Sequence, residues 1–510
     1  EHRGLPTQLA LVSDGPFRLE CSGDAARDFS EQIQAAAEAV GLLDVEIQTS
    51  LDEEAKGQAR TCREVSGRID PEARFRVTDI STKPSTSKPG KPFRTSTLQR
   101  AGATYLGFTA DRTMRAAQRL YQGDAMAGSE TGGLITYMRT DSTHLAPEAI
   151  VAAREMIESK YGVEYRPESA RIYETDRPDA QEAHEAIRPT DVSQTPASLK
   201  GKLGEDPWRL YDLIWKRFVA CQMSDAKWES TTVLLERDDR PTGAVLRASG
   251  RVQVFDGFQR VSGVSESIEP VLPAMSVGDL MAPFAITPLQ KFSKPPARYN
   301  EASLIKKLEE EGIGRPSTYA QILKTVQDRR YVEKRGSAAL FPTDLGEVVT
   351  EKLKEGFPRI MEVGYTRWME EQLDQVGEGR ANWVDFLREF YEPFSKSLDA
   401  AHEAMKHAKA ERESAPDEYR CPECEKPTEY RFGRNGKFLS CTGFNLPTIP
   451  TEYKCGECGD GTLAVNRRKT PKGRPFLTCA ACQHKEGWRK LSPEQKEVVE
   501  GLESTIDETC

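Results

Sequence analysis

Eight of the 11 cysteines of this 510-residue chain lie in its last fifth, six of them as Cys-x2-Cys pairs and one as the last residue, Cys510. The pairs are Cys421/Cys424, Cys455/Cys458 and Cys479/Cys482, and Cys441 stands between them. Paired thiols at that spacing turn around one metal ion. They belong in a reducing cytoplasm rather than in a disulfide framework. Cys455-x2-Cys458-x20-Cys479-x2-Cys482 supplies the four thiolates that Zn2+ takes tetrahedrally. A module this small has little core, and metal binding contributes on the order of 10 kcal/mol to its folding. The unit before it, Cys421-x2-Cys424-x16-Cys441, has three thiols, and residues 442–452 add neither Cys nor His. Either Cys455 is contested between the two units or the first ribbon has lost its metal. A metal-free or weak first ribbon is the expectation.

The rest of the chain is long enough for several domains. No run of about 18 apolar residues exists, so no membrane span is expected. The chain opens Glu1-His2-Arg3-Gly4, without methionine or a charged-then-apolar leader, and that start reads as a fragment boundary. Net charge is −9, but its distribution is uneven. Residues 284–335 carry 11 Lys/Arg against 6 Asp/Glu, and residues 454–490 carry 9 against 3. Such runs are either solvated surface or the electrostatic footprint of a nucleic acid. In the tail, Tyr453, Phe476 and Trp488 lie among Arg467, Arg468, Lys469, Lys472 and Arg474, a mixture suited to single-stranded DNA or to holding a partner protein.

Periodicity divides the body. Phe17–Cys21, Val45–Thr49 and Phe75–Ile80 alternate as strands, with an amphipathic helix over Phe29–Val40 between the first two. Residues 81–100, rich in Ser, Thr, Lys and Pro, are expected to form a linker into a helix with Thr95 or Ser96 as N-cap. Helices follow at 113–122, 147–161 and 208–220. Alternation returns at Ser230–Leu235, Val245–Ala248 and Val252–Phe255, and helices return at 301–311, from Ser317 or Thr318, at 344–356 and at 383–405. Lys406–Pro416 is a charged linker.

Three short strings carry candidate chemistry. In Gly133–Thr143 an apolar entry (Leu134, Ile135) delivers Tyr137, with Arg139 two residues on, so both side chains share one face of an extended segment. A phenol beside a guanidinium is a nucleophile with a phosphate-binding partner; an isolated Tyr-x-Arg is ordinarily plain structure. In Ala180–Thr190, His184 lies among helix formers that Pro189 stops. That histidine is a structural hydrogen-bond partner or a ligand contact, and Arg188 a cation capping the helix or touching DNA. Gly312–Thr318 is a tight turn between helices, presenting Arg315, Ser317 and Thr318 beside a helix N-terminus. It is a mere connection or a phosphate cradle.

Taken whole, these strings resemble a known family. Thr136-Tyr-Met-Arg-Thr-Asp-Ser142 resembles the active-site motif of type IA DNA topoisomerases, in particular the bacterial topoisomerase I group. Pro92-Phe-x-Thr-Ser-Thr-Leu-Gln99, Gln181-Glu-Ala-His-Glu-Ala-Ile-Arg-Pro189, Gly312-Ile-Gly-Arg-Pro-Ser-Thr-Tyr319 and Gly364–Asp374 resemble further segments of that family, and the likeness covers roughly residues 75–490. It implies an α+β multidomain fold: a toroidal body of a β-rich arch and two helical domains, followed by C-terminal zinc ribbons. The arch would be 1–100 with 224–283, the tyrosine-bearing helical domain 101–223, and a helical DNA-binding domain 284–410. A degenerate ribbon would span 417–452 and a zinc ribbon 453–490.

The resemblance also implies an activity. Negatively supercoiled DNA would be relaxed without ATP through a 5′-phosphotyrosyl link on Tyr137, with Arg139 stabilising the phosphorane charge. His184, Arg188, Arg315, Ser317, Thr318, Gln118 and Asp141 would contact DNA. No Gly-x4-Gly-Lys-Ser/Thr string is present, which fits the lack of ATP. The expected setting is the bacterial cytoplasm, as a monomer on single-stranded DNA, away from membranes. RNA polymerase or other DNA-processing proteins would dock on the tail. One departure is large. The family's TOPRIM domain carries an Asp-x-Asp-x-x-Gly-Glu cluster that holds Mg2+ opposite the tyrosine, and these 510 residues contain no such string. The chain alone is therefore expected to be inactive. The alternative is a non-catalytic single-stranded DNA-binding paralogue or fragment.

Overall fold

The computed structural model describes residues 5–12, 15–19, 28–55, 57–123, 133–173, 185–240, 242–263, 271–336, 338–408 and 413–416, and in the tail 427–433, 436–441, 449–454, 457, 462–466, 476–479, 482, 484–486, 491–493 and 496. These fall into two compact units, Glu1–Glu310 with Gly314–Leu323, and Glu311–Ile313 with Lys324–Cys510.

The first unit begins with β1 (Gln8–Val12), β2 (Gly15–Pro16), α1 (Ser30–Ala39) and the hairpin β3 (Leu42–Leu51)–β4 (Thr61–Ile69). Its main sheet is antiparallel and six-stranded, in the order β2-β1-β7-β6-β5-β8, with β5 at Phe75–Ser87, β6 at Ala226–Arg237, β7 at Ala244–Phe255 and β8 at Leu280–Met281. Phe75, Val77, Val233, Leu235 and Ala248 form its core. Two expectations are corrected here. Phe17–Leu19 lie outside any strand, because the opening hairpin closes at Pro16, which has no N–H to extend it. The polar stretch after Ile80 is not a linker, because β5 continues to Ser87 in unbroken register with β6. Pro84 is tolerated there because β8 covers only Phe75 and Arg76, so β5 is an edge strand beyond them.

Ser87 and Ala226 are register partners at one end of this β-ribbon. Everything between them is thus an insertion at the ribbon's end. It contains α2 (Thr95–Ala101), α3 (Ala110–Gln122), α4 (Pro147–Tyr161) and α5 (Glu205–Cys221) around a core that includes Leu98, Leu120, Ile135, Met138, Ile187, Leu210, Ile214 and Phe218. The N-cap of α2 is Arg94, not Thr95 or Ser96. Thr97 Oγ accepts from Arg94 N at 3.0 Å, while the Thr95 and Ser96 hydroxyls turn to tertiary partners. A short helix α6 (Gln259–Ser262) precedes α7 (Glu301–Glu310), which lies against α2. Ser96 Oγ donates to Glu309 Oε1 at 2.6 Å, Arg94 pairs with the same carboxylate at 2.9 Å, and Glu301 accepts from Ala110 N at 2.8 Å, at the start of α3.

One buried charge cluster holds the sheet to α1 and the β4 turn. The Arg237 side chain is fully out of solvent and donates to Asp70 Oδ2 at 2.5 Å, Asp239 Oδ1 at 2.9 Å and Glu38 O at 2.9 Å. The Arg237 hydrogen bond pulls the Asp239 carboxyl down to about 2. A lowered carboxyl stabilises the fold above its unfolded range near pH 4, and that contribution is lost as pH falls toward 2. Arg237→Ala is expected to cost about 3–5 kcal/mol, since it strands carboxylates beside a dry wall. Urea midpoints at pH 7 and pH 3 check this: the gap between variant and wild type should be widest at pH 7.

Helix α8 (Tyr319–Asp328) follows a turn with Gly312 at φ +68° and Gly314 at φ +83°. The second unit carries the hairpin β9 (Val332–Arg335)–β10 (Ala339–Pro342) and the helices α9 (Asp344–Gly356), α10 (Val363–Gly377) and α11 (Trp383–Ala408). Phe357, Phe394 and Phe390 stack in series between α9 and α11. Two small antiparallel sheets close the chain. One orders β11 (Glu413–Ser414), β12 (Thr428–Gly433) and β13 (Gly436–Cys441); the other orders β14 (Ile449–Lys454), β15 (Thr462–Asn466), β16 (Phe476–Cys479) and β17 (Lys485–Glu486). No described helix is long and apolar enough to cross a membrane.

Candidate active site

The segment Gly133–Thr140 is pinned at Leu134, Thr136 and Thr140. Leu134 N donates to Leu120 O at 2.8 Å, Thr136 N to Arg188 O at 2.9 Å, and Thr136 Oγ to Ala186 O at 2.7 Å. Gly133 packs so tightly on Tyr121 that a Cβ would sit 2.1 Å from the Tyr121 carbonyl oxygen, so only glycine fits. Leu134, Ile135 and Met138 enter the core. Tyr137 and Arg139 stay exposed on either side of buried Met138, with Tyr137 at 45%. The Tyr137 ring meets the Tyr121 ring edge-on, centroids 5.3 Å apart.

Hydroxyls order the next turn. Thr95 Oγ donates to Met138 O at 2.7 Å and accepts from Thr140 N at 2.9 Å. Thr140 Oγ accepts from Ser142 N, and Ser142 Oγ from His144 N, each at 3.0 Å. Thr140, Ser142 and Thr143 are therefore buried and structural, and Asp141 between them is half-buried. Gln118, half-buried on α3, lies one turn before Tyr121.

The helix expected over 180–190 is corrected for its described part. Ala186–Pro189 run extended, with Ile187 bridging Phe93 and Pro189 bridging Ile135. Tertiary partners satisfy this backbone: Ala186 N reaches His144 O at 2.8 Å and Ile187 N reaches Phe93 O at 2.7 Å. Proline 189 and two buried side chains overrule helix propensity here. His184 lies outside the described residues. Arg188 caps no helix; its guanidinium grips Glu185.

In the α7–α8 turn, Arg315 N donates to Thr318 Oγ at 2.8 Å, and Thr318 Oγ donates back to Arg315 O at 3.1 Å. The Thr318 hydroxyl is thus engaged within the turn, Ser317 is exposed, and Arg315 Nη1 donates to Gly314 O at 2.9 Å. In the tail, Cys421, Cys424, Cys455 and Cys458 lie outside the described residues, and Cys441 ends β13. Cys479 is buried and Cys482 exposed. Cys482 N donates to Cys479 Sγ at 3.5 Å, and Cys479 N donates to His484 O at 2.9 Å, so the pair forms a tight knuckle at the end of β16.

The sequence reading missed Tyr121, Thr95 and Glu185. Tyr121 gave no signal, because its closeness to Tyr137 depends on a core contact. Glu185 stood in the same string as His184 and was passed over for it.

The family profile described as DNA topoisomerase matches residues 32–388, which take in the tyrosine segment, the 186–190 strand and the Gly-Arg-Pro-Ser-Thr turn. The chain belongs to the bacterial DNA topoisomerase I family, type IA. DNA topoisomerase 1 of Vibrio cholerae is 44% identical over 378 residues, 74% of this chain and 41% of that protein. DNA topoisomerase 1 of Escherichia coli is 42% identical over 378 residues, 74% of this chain and 42% of that protein. The chain thus spans less than half the length of these curated relatives. The structure of full-length topoisomerase I from Thermotoga maritima superposes with a TM-score of 0.60 at 30% identity, covering 81% of this chain and 67% of that one. The mixed α+β body is therefore a topoisomerase I body.

Proposed function

We propose that this chain is the tyrosine-bearing body of an enzyme that relaxes negatively supercoiled DNA, and that Tyr137 is its nucleophile. The observation that carries this is the exposed Tyr137 phenol on a backbone fixed by hydrogen bonds on both flanks, with Arg139 exposed two residues on. The Tyr137 oxygen bonds to a DNA phosphorus and the bond from phosphorus to the 3′ oxygen breaks. One proton leaves the phenol and one reaches the 3′ oxygen, so the step balances. A phosphodiester is exchanged for a phosphodiester, so religation needs no ATP. A phenol ionises near pH 10, so attack at neutral pH requires a proton acceptor or a cation near the oxygen. Arg139 is the cation in reach along the chain, and it stabilises the phosphorane charge. His184, Arg315, Ser317, Gln118 and Asp141 are the DNA contacts that the strings imply.

Zn2+ fits the tail: Cys479 and Cys482 form half of a tetrahedral thiolate set, and Cys455 and Cys458 would complete it. Bound there, the ion holds the ribbon together and takes no part in cleavage. Mg2+ does not fit the described residues, among which no group of three or more His, Cys, Asp or Glu is placed to hold a metal ion. No step is derived through it. The cellular setting is the cytoplasm, and the tail is the surface for DNA-processing partners.

The test is covalent trapping. A 3′-end-labelled single-stranded oligonucleotide is incubated with Mg2+ and the chain, alone and with the TOPRIM domain of a relative supplied separately, and run on a denaturing gel. The chain alone is expected to give no labelled band, and the complemented chain to give one migrating with the protein, because the 3′ label stays on the strand whose 5′ phosphate joins Tyr137. Tight, salt-sensitive binding without such a band in the complemented chain would overturn the nucleophile assignment and leave the chain a DNA-gripping protein.

A further inference from the structure

The guanidinium of Arg188 is held by a carboxylate of its own strand. Nε and Nη2 donate to the two oxygens of Glu185 at 3.0 and 2.7 Å, and Nη1 donates to Pro189 O at 2.9 Å. Only 11% of the Arg188 side chain and 26% of the Glu185 side chain face solvent. Two-point pairing of this kind fixes orientation as well as charge, which lysine does not reproduce. Glu185 Oε1 also accepts Ala146 N at 2.7 Å, at the first turn of α4, where negative charge is favoured by the helix dipole. The same short strand bonds to both flanks of the nucleophile segment. Arg188 O accepts from Thr136 N at 2.9 Å, Arg188 N donates to Thr136 Oγ at 3.0 Å, and Ala186 N donates to His144 O at 2.8 Å. One ion pair thus joins the strand that precedes Tyr137 to the turn that follows Arg139.

We infer that Glu185 and Arg188 are positioning residues that lock the segment 133–146 in its attacking geometry, and that Arg188 is not a phosphate contact. The inference rests on Tyr137 being the nucleophile only for its effect on rate. The ordering of the segment and the absence of a phosphate contact stand apart from that assignment. Arg188 still has unused N–H groups, but its charge is matched and its side chain is mostly covered. A DNA phosphate would have to displace Glu185, and so release α4's first turn.

The experiment compares the full chain with Glu185→Gln, which keeps the shape and removes the charge, and with Arg188→Gln. Three quantities are read: hydrogen exchange of the 133–146 amides, binding of a single-stranded oligonucleotide across salt concentrations, and the rate of adduct formation at saturating oligonucleotide. Exchange at Thr136 and Ala146 is expected to rise at least tenfold in both variants. The oligonucleotide Kd and its salt slope are expected to stay unchanged, and the adduct rate to fall at least tenfold. A salt slope lower by about 0.7 in Arg188→Gln, the loss of one phosphate contact on a single strand, would overturn the inference. So would unchanged exchange in Glu185→Gln. Adduct rates are read with the acidic domain of a relative supplied; if the wild type so complemented binds DNA but forms no adduct, the nucleophile assignment fails while exchange and salt slope still decide the lock. If Arg188→Gln does not fold, Glu185→Gln decides it alone.

Discussion

Tyr137→Phe is expected to abolish the covalent DNA adduct, lowering its rate by about 10^4-fold or more, the scale on which enzymes lose activity with their nucleophile. The substitution removes a single oxygen. The backbone anchors at Leu134, Thr136 and Thr140 do not involve that oxygen, and the edge-on contact with Tyr121 at 5.3 Å is a ring contact that phenylalanine keeps. Tyr137 is 45% exposed, so folding stability should change by less than about 0.5 kcal/mol. Oligonucleotide affinity should stay within about twofold, because a neutral phenol adds no charge to the phosphate path. A trapping gel run on both proteins, each supplied with the acidic domain of a relative, with Kd measured alongside, separates chemistry from binding. An adduct that persists in Tyr137→Phe would transfer the nucleophile to the neighbouring exposed phenol, Tyr121, and Tyr121→Phe would then remove it.

The second large effect concerns the tail. The chain is expected to release one equivalent of Zn2+ on thiol modification, and Cys479→Ser is expected to lower that to near zero. The N–H of Cys482 points at the sulfur of Cys479, and the buried position of Cys479 at the end of β16 leaves a hydroxyl no comparable ligand role. Losing the ion removes on the order of 10 kcal/mol from a module with little core of its own, so residues 449–486 should become sensitive to protease. Cys441→Ser is expected to leave the stoichiometry at one, because its unit lacks a fourth ligand before Cys455. Two equivalents in the wild type would mean that the first ribbon also holds metal, and none would remove zinc from the account.

Much of the candidate site was legible in the chain because its chemistry is local. Tyr137 and Arg139 are two residues apart, and a period of two places them together whatever the rest does. The helices 147–161 and 301–311 were equally legible, because Pro147 at a first turn and Gly312 at a positive φ mark their ends chemically. The polar stretch 81–87 failed for the opposite reason. Its composition is that of a loop, and only pairing with β6, some 140 residues away, makes it a strand. The 185–190 segment failed likewise: its residues favour helix, but Phe93, Leu134 and Thr136 take its backbone hydrogen bonds.

By itself, the amino-acid sequence singled out the candidates for chemistry: the tyrosine with its arginine, the turn with Arg315, and the thiols of the ribbon. Each is set by neighbours within a few positions, where chain geometry is nearly constant. Only the tertiary structure decided what holds them. Thr95 supports Met138 and Thr140, Tyr121 flanks Tyr137, and Glu185 turns Arg188 from a candidate DNA contact into an internal tie. Those roles rest on which partner each side chain meets once the core has closed, and hydrogen bonds across 40 or 50 residues leave no periodic trace in the chain.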